Sequence, residues 1–170
     1  MIRRSWSPLL LFLLLLAGCG YHRPGEGDSL GAISTLRIQL FANRSYEPFL
    51  ENVLTNAVTQ RFQRTRRWRL VEDPAAADAV FSGTVVSFRS DPVSFDANDK
   101  VLEYRAQMTV AGELRRQEDG RVLWKGSVTW NEEYPGGIDK GLQEDNKGAA
   151  IRLIAARLAE EFYFRLTDNF

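Results

Sequence analysis

Leu102-Glu103-Tyr104-Arg105-Ala106-Gln107-Met108-Thr109-Val110-Ala111-Gly112-Glu113-Leu114-Arg115 is followed, after a short polar break, by Val122-Leu123-Trp124-Lys125-Gly126-Ser127-Val128-Thr129-Trp130-Asn131. Both runs alternate with a period of two, which marks strands with one greasy and one wet side. Leu102, Tyr104, Ala106, Met108, Val110, Gly112 and Leu114 share one side of the first run, and Val122, Trp124, Gly126, Val128 and Trp130 share one side of the second. An antiparallel hairpin keeps both sets together only if paired residue numbers sum to an even number. A three-residue loop, Glu118-Asp119-Gly120, meets that demand, with Gly120 in the left-handed position of a G1 bulge. The implied pairs are Leu114 with Trp124, Val110 with Val128 and Met108 with Trp130, while Glu113 faces Lys125 and Gly112 faces Gly126. Trp124 and Trp130 are then core residues. The opposite side carries Gln107, Thr109, Ser127, Thr129 and Asn131, which suit either water or a closely fitted partner.

Working outward, residues 33–41 read as a strand in which Leu36, Ile38 and Leu40 alternate with Arg37 and Gln39. Asn43 and Ser45 are candidate caps for a helix with Pro48 in its first turn, where a missing N–H is harmless. Leu50, Val53, Leu54, Ala57, Val58 and Phe62 recur at spacings of three and four and carry that helix to about Arg64. Arg61 lies beside the stripe, its stem buried and its charge in water. Trp68 and Leu70 suggest a short edge strand, with Trp68 either packed into the body or open to a partner, and residues 79–88 a central strand. Residues 89–99, with Pro92, Asp96, Asn98 and Asp99, read as a polar loop. A second helix runs from about Leu142 to Leu166 on a stripe of Ala150, Leu153, Ile154, Leu158, Phe162 and Leu166, with Arg157 at its edge. The expected fold is an α/β (α+β) two-layer sandwich. Two amphipathic helices pack on one face of a four-stranded mixed β-sheet, in the order β-α-β-β-β-α.

The chain opens differently. Arg3-Arg4, an apolar run over residues 9–17 and Leu16-Ala17-Gly18 before Cys19 have the layout of an export signal. That run is far short of the roughly 20 residues a membrane span needs. Cys19, the only cysteine, stands where a bacterial lipoprotein keeps its acylated first residue. Several acyl chains there would anchor the protein, since a single chain binds only marginally. Gly20 in place of an acidic residue resembles the sorting pattern for the outer membrane of a Gram-negative cell, on its periplasmic side. The expected division is 1–18 signal peptide, 19–32 lipidated N-terminus and tether, and 33–170 one globular domain. Removing 1–18 from the 170 residues leaves 152, and losing Arg3 and Arg4 from 22 basic residues leaves 20 against 22 acidic. A formal charge of −2 excludes a nucleic-acid protein, which needs a basic excess.

Most catalytic chemistry lacks its residues. His22, the sole histidine, lies in the tether, and Cys19 is blocked once acylated. Histidine-based triads and a cysteine–histidine zinc site are therefore excluded, and no cofactor is implied. No glycine-rich phosphate loop follows a strand. Carboxylates are the one remaining enzymatic option: Glu132 and Glu133, with Asp139, Glu144 and Asp145 downstream. Paired carboxyls do glycosidase-type work only in a cleft, and beside Tyr134-Pro135-Gly136-Gly137 they read as solvated. Arg61, Arg64, Arg66, Arg67 and Arg69 form the densest positive run, which suits a helix C-terminus and equally an anionic lipid or phosphorylated saccharide. Arg89 and Arg105 are a second candidate anion site.

Cys19-Gly20-Tyr21-His22-Arg23 resembles the start of the mature chain in the LptE family of lipopolysaccharide-assembly lipoproteins. The resemblance continues through Thr35-Leu36-Arg37-Ile38 and Phe41-Ala42-Asn43-Arg44-Ser45-Tyr46-Glu47-Pro48 to Ala77-Asp78-Ala79-Val80 and Gly83. The hairpin and closing helix follow in the expected order. The resemblance implies a non-enzymatic lipoprotein seated in the lumen of the LptD outer-membrane β-barrel, plugging it, aiding its assembly and meeting lipopolysaccharide on its way to the surface. Lipopolysaccharide contacts are then expected from Arg66, Arg67, Arg69, Arg89 and Arg105. The alternative is an outer-membrane lipoprotein that serves a secretion channel or activates a cell-wall synthase, whose families share the Ala-Asp-Ala-Val and Gly83 stretch. A carboxylate hydrolase is the third class.

Overall fold

The computed structural model describes residues 33–137 and 139–168; the signal segment 1–18, Cys19, His22 and the tether 19–32 lie outside them. The chain runs β1 (Thr35–Ile38), β2 (Ala42–Asn43), α1 (Leu50–Thr65), β3 (Arg69–Leu70), β4 (Ala79–Phe95), β5 (Val101–Arg116), β6 (Val122–Pro135) and α2 (Lys140–Asp168). The sheet order is β3-β1-β4-β5-β6, with β2 also paired to β4. β1 is parallel to β3 and β4, β2 is parallel to β4, and the long meander β4–β5–β6 is antiparallel. Both helices pack against this open sheet.

The expected four-stranded sheet is thus corrected to six strands in another order. The first expected strand breaks at Gln39–Leu40 into β1 and β2, both bonded to β4. At this break Phe41 turns into the core while Leu40 turns out to solvent, ending the alternation that the Leu36-Ile38-Leu40 spacing suggested. Residues 89–95 are strand, not loop, and β4 continues through them to Phe95. Among the described residues no strand flanks β4 opposite β5 beyond Val85, so Pro92 lies on an edge where its missing N–H leaves no ladder bond unmade. A bulge at Val86 shifts the inward set from Phe81, Gly83 and Val85 to Phe88 and Ser90. That shift explains the mixed pattern of this strand.

The hairpin pairs Leu114 with Trp124, Val110 with Val128 and Met108 with Trp130, the register the spacing implied. Its turn differs from the expected one. Gly120 N–H donates to Arg116 O and Arg116 N–H donates to Arg121 O, so Gln117-Glu118-Asp119 form the loop and Gly120, at φ 69°, is the first bulge residue. The pair sum is odd there, Arg115 facing Val122, and an extra residue at Leu123 restores the even sum. The demand of the greasy face is met by a second bulge rather than by loop length alone.

Gly83, Gly112 and Gly126 stand side by side in register on the inner face. A methyl on Gly83 would overlap the Phe41 ring, one on Gly112 would sit 2.9 Å from Phe162 Cε1, and one on Gly126 would sit 2.7 Å from Trp124 Cζ2. This bare row is a trough that admits rings. Phe81 meets Phe162 edge-on with centroids 5.5 Å apart, Phe62 stacks on Trp68 at 5.5 Å, and Trp124 meets Phe162 at 6.0 Å. Trp68 is therefore buried, not open to a partner, whereas Trp130 on the edge strand β6 is exposed. On α2 the buried stripe takes Ile151 in place of Leu153, which faces solvent.

Candidate functional site

The face of β4–β5–β6 turned away from the helices is built by the residues between the core positions. Rows across the three strands read Ser82–Glu113–Lys125, Thr84–Ala111–Ser127, Ser87–Thr109–Thr129, Arg89–Gln107–Asn131 and Asp91–Arg105–Glu133. All of these side chains are exposed or half-buried. The face is cross-bonded along its length. Thr109 and Thr129 hydroxyls lie 2.8 Å apart, Arg105 donates to Glu133 at 2.6 Å, and Arg89 bonds Gln107. Lys125 lies 3.5 Å from Glu113, whose carboxyl is held below its usual range chiefly by the hydrogen bond from Arg115. Each charge has an opposite neighbour, so the surface is polar yet close to neutral. Leu40, expelled from the core, borders a groove of about 390 Å³ on this face together with Gln39, Ser82, Thr84, Glu113 and Lys125.

One edge of this surface carries a hydrogen-bonded loop between β2 and α1. Asn43 does not cap the helix. It organises the loop, accepting from Ser45 N–H at 3.0 Å and Ser45 Oγ at 2.8 Å while donating to Glu47 O at 2.8 Å. α1 starts after Phe49, which is left-handed at φ 65° with no side-chain cap. Lys147 of α2 reaches Glu47 at 3.1 Å and Glu144 at 2.8 Å. Burial of its ammonium opposes the charge, and those two carboxylates more than offset it, so the net shift of its pKa is upward. The braced loop leaves Tyr46 and Phe49 fully or largely exposed. Sequence reading missed both; the signal was Asn43-x-Ser45, an Asx-turn pattern.

The five arginines expected to contact anions do not converge. Arg66, Arg67 and Arg69 are exposed around the end of α1 and on β3, and Arg67 lies over the Trp68 ring at 5.4 Å. Arg69 is level with the start of β4, because it pairs with Thr35, which accepts from Asp78 N–H. Arg89 is ten residues further along β4 than Ala79, about 33 Å at the usual strand rise. Arg89 and Arg105 are close together on the bare face, each already beside a carboxylate: Asp91 at 3.8 Å and Glu133 at 2.6 Å. Glu132 points to the other face from Glu133 and forms no carboxylate pair with it. Among the described residues no acidic, histidine or cysteine cluster is arranged to hold a metal.

A two-layer body with an open sheet face of hydroxyls, amides and paired charges is of the class that binds and positions. The LptE family, described as lipopolysaccharide-assembly, matches residues 33–166, and the chain belongs to it. It is accordingly a non-enzymatic outer-membrane lipoprotein, anchored on the periplasmic side, with a part in lipopolysaccharide assembly. No curated protein matches the sequence closely. Its fold is similar to that of a putative lipoprotein from Caulobacter crescentus CB15 (16% identity, TM-score 0.55, covering 74% of this chain and 86% of that one). It is similar also to the rare lipoprotein B from Shewanella oneidensis (15% identity, TM-score 0.56, covering 80% and 96%). A minor lipoprotein from Acinetobacter baumannii shares the fold at 11% identity and a TM-score of 0.53, covering 80% and 92%.

Proposed function

We propose that this protein seats inside the lumen of an LptD-type outer-membrane β-barrel, plugging it while aiding its assembly and the passage of lipopolysaccharide, and that acyl chains on Cys19 hold it at the membrane. The observation that carries the reading is the bare face of β4–β5–β6. Lumens of large barrels are polar and lined by alternating side chains, and a flat surface of hydroxyls, amides and paired charges fits such a wall without burying an unmatched charge. Tyr46 and Phe49, held on a braced loop at its edge, supply the aromatic anchors typical of interface centres. In this reading residues 1–18 are removed, 19–32 tether the body and 33–170 form one domain. Arg66, Arg67 and Arg69, or Arg89 and Arg105, meet the phosphates of lipopolysaccharide.

Photo-crosslinking tests the seat. A probe at Thr129 on the bare face should trap the barrel in a one-to-one complex, and a probe at Leu153 on the outer side of α2 should trap it less. Capture of a secretion ring or a cell-wall synthase at Thr129 would overturn the reading. The anchor is tested by Cys19→Ser, which should release a folded protein from the membrane; retention in the membrane fraction would refute it.

A further inference from the structure

The first described residues are clamped at one corner of the body. Asp78 accepts hydrogen bonds from Ser34 N–H at 2.8 Å, Thr35 N–H at 2.8 Å and Ser34 Oγ at 2.9 Å, pinning the start of β1 to the start of β4. In return Asp78 N–H donates to Thr35 Oγ1 at 2.9 Å. Gln117 N–H donates to Asp78 O at 2.9 Å, which draws the hairpin turn to the same corner. A groove of about 450 Å³ opens between these pieces. Ile33, Ala75 and Ala77 supply its apolar lining, and Arg116, Gln117 and Glu118 of the hairpin turn are polar. Ile33 and Ala77 are buried, while Ala75, in the short turn Pro74–Ala76, is exposed.

What can fill this groove follows from where the described chain begins. Ile33 lines it, so the residues before Ile33 join the body at its mouth. They read Glu26-Gly27-Asp28-Ser29-Leu30-Gly31-Ala32, and Leu30 is the only branched aliphatic residue between Gly20 and Ala32. It stands three residues from Ile33, a reach of at most about 11 Å, with only Gly31 and Ala32 between. A segment already joined to its site is present at an effective concentration of order millimolar, so a weak apolar contact suffices. Charge selects the same residue. Of the charged lining residues Asp78 and Glu118 are acidic and Arg116 is basic, the last also 3.5 Å from Asp119. Glu26 and Asp28 gain nothing there, and Leu30 does.

We infer that residues 29–32 fold back into this groove, with the Leu30 side chain against Ile33, Ala75 and Ala77 and the acidic residues 26 and 28 left outside. The body then begins at Ser29, and the chain free to reach Cys19 shortens from fourteen residue steps to nine, or from about 50 Å to about 32 Å at full extension. The docked segment also closes the open side of the corner, covering the exposed Ala75. The inference depends neither on acylation of Cys19 nor on a seat in a barrel, and it holds or fails without them.

The test uses the chain from residue 19 onward carrying Cys19→Ser, which has no native thiol. In amide hydrogen exchange read by NMR, Gly31 and Ala32 should be protected about tenfold or more over free-chain rates, and Gly25 and Gly27 should not. Ala75→Glu puts a carboxylate at the exposed apolar position of the groove and should abolish that protection. Ala76→Glu, exposed on the same turn but outside the groove lining, should keep it. Disulfide formation gives a second readout. Leu30→Cys should oxidise with Ala75→Cys roughly tenfold faster than with Arg67→Cys, because Arg67 lies toward β3, on the side of β1 away from β4. Free-chain exchange at 31 and 32, or equal oxidation at 75 and 67, would overturn the inference. Protection that grows with protein concentration would assign the groove to a second copy and overturn it as well.

Discussion

The two faces of the β4–β5–β6 meander are made by alternate residues of the same strands, and they follow opposite rules. At one level the inner face is Gly83–Gly112–Gly126, and at the next level the outer face is Thr84–Ala111–Ser127. Inside, glycine is required because rings of Phe41, Phe162 and Trp124 lie where side chains would be. Outside, small polar residues are cross-bonded to one another and, among the described residues, covered by no other element. Shape decides the first face. The chemistry of whatever covers it decides the second. Substitutions on the inner face should therefore lower stability, and substitutions on the outer face should lower binding.

The largest effect is expected at Phe162, fully buried and in contact with Phe41, Phe81 and Trp124. Phe162→Ala should remove about 3–5 kcal/mol of stability, a large share of the roughly 5–15 kcal/mol of an ordinary domain. The urea midpoint followed by circular dichroism reads it. A loss under 1 kcal/mol would mean the trough does not need its rings. Gly83→Ala comes next. The added methyl overlaps Phe41, and relieving such overpacking costs about 1–3 kcal/mol. Thr84→Val, one residue away on the outer face, should change stability by less than about 0.5 kcal/mol. Equal losses at 83 and 84 would break the contrast between the faces.

How much of this was legible beforehand follows the same division. Alternation over residues 102–131 located the hairpin, its register and both of its faces, because one buried side enforces a strict period of two. The pattern failed where a bulge absorbed a residue. Val86 hid the inward run of β4, and Leu123 moved the even register from the loop into the strand. Leu40 was placed inside for the same reason, since a break in β1–β2 is invisible to a local count of apolar residues. Pro92 suggested a loop because only the tertiary arrangement shows that β4 is an edge there. Of the candidate site, the hydroxyl and amide residues of β5 and β6 were readable, whereas their continuation onto Ser87 and Arg89 depended on the misread strand. Asn43 reads as a helix cap in the sequence because caps and Asx turns use the same side chain.

Asp78 offers an intermediate effect, being polar and exposed yet structural. Its carboxyl is lowered from 3.8 to about 2 by the hydrogen bonds from Thr35 and Ser34. A depressed carboxyl contributes stability that is present in full above its unfolded value and is lost as pH falls toward its folded one. Asp78→Asn should thus lower stability by about 1 kcal/mol at pH 7, a figure kept small because solvent screens the site. The difference from wild type should shrink between pH 4 and pH 2. Urea titrations at pH 7 and pH 2 check this. A gap that persists unchanged at pH 2 would assign the effect to packing and not to the ionised carboxylate.

The smallest effect on folding, and the sharpest on binding, is expected at Arg105 and Glu133. Their side chains are 50% and 48% exposed, so the 2.6 Å contact between them is an ordinary surface pair, and a double-mutant cycle should give a coupling of about 0.2–1 kcal/mol. Exchanging the two, Arg105→Glu with Glu133→Arg, keeps the pair, the row and the local neutrality while reversing which strand carries which sign. Stability should return to within about 0.5 kcal/mol of wild type. What the exchange does to co-purification with the proposed barrel partner is then informative in a way single substitutions are not. If the partner meets only a flat neutral surface, the exchanged protein binds as wild type does. If the partner presents charges in register with this row, the exchange places like against like, which costs several kcal/mol at an interface, and binding fails although the fold is intact. The second outcome is expected, because a surface on which the charges are locked to their neighbours holds them at fixed positions that a partner can match.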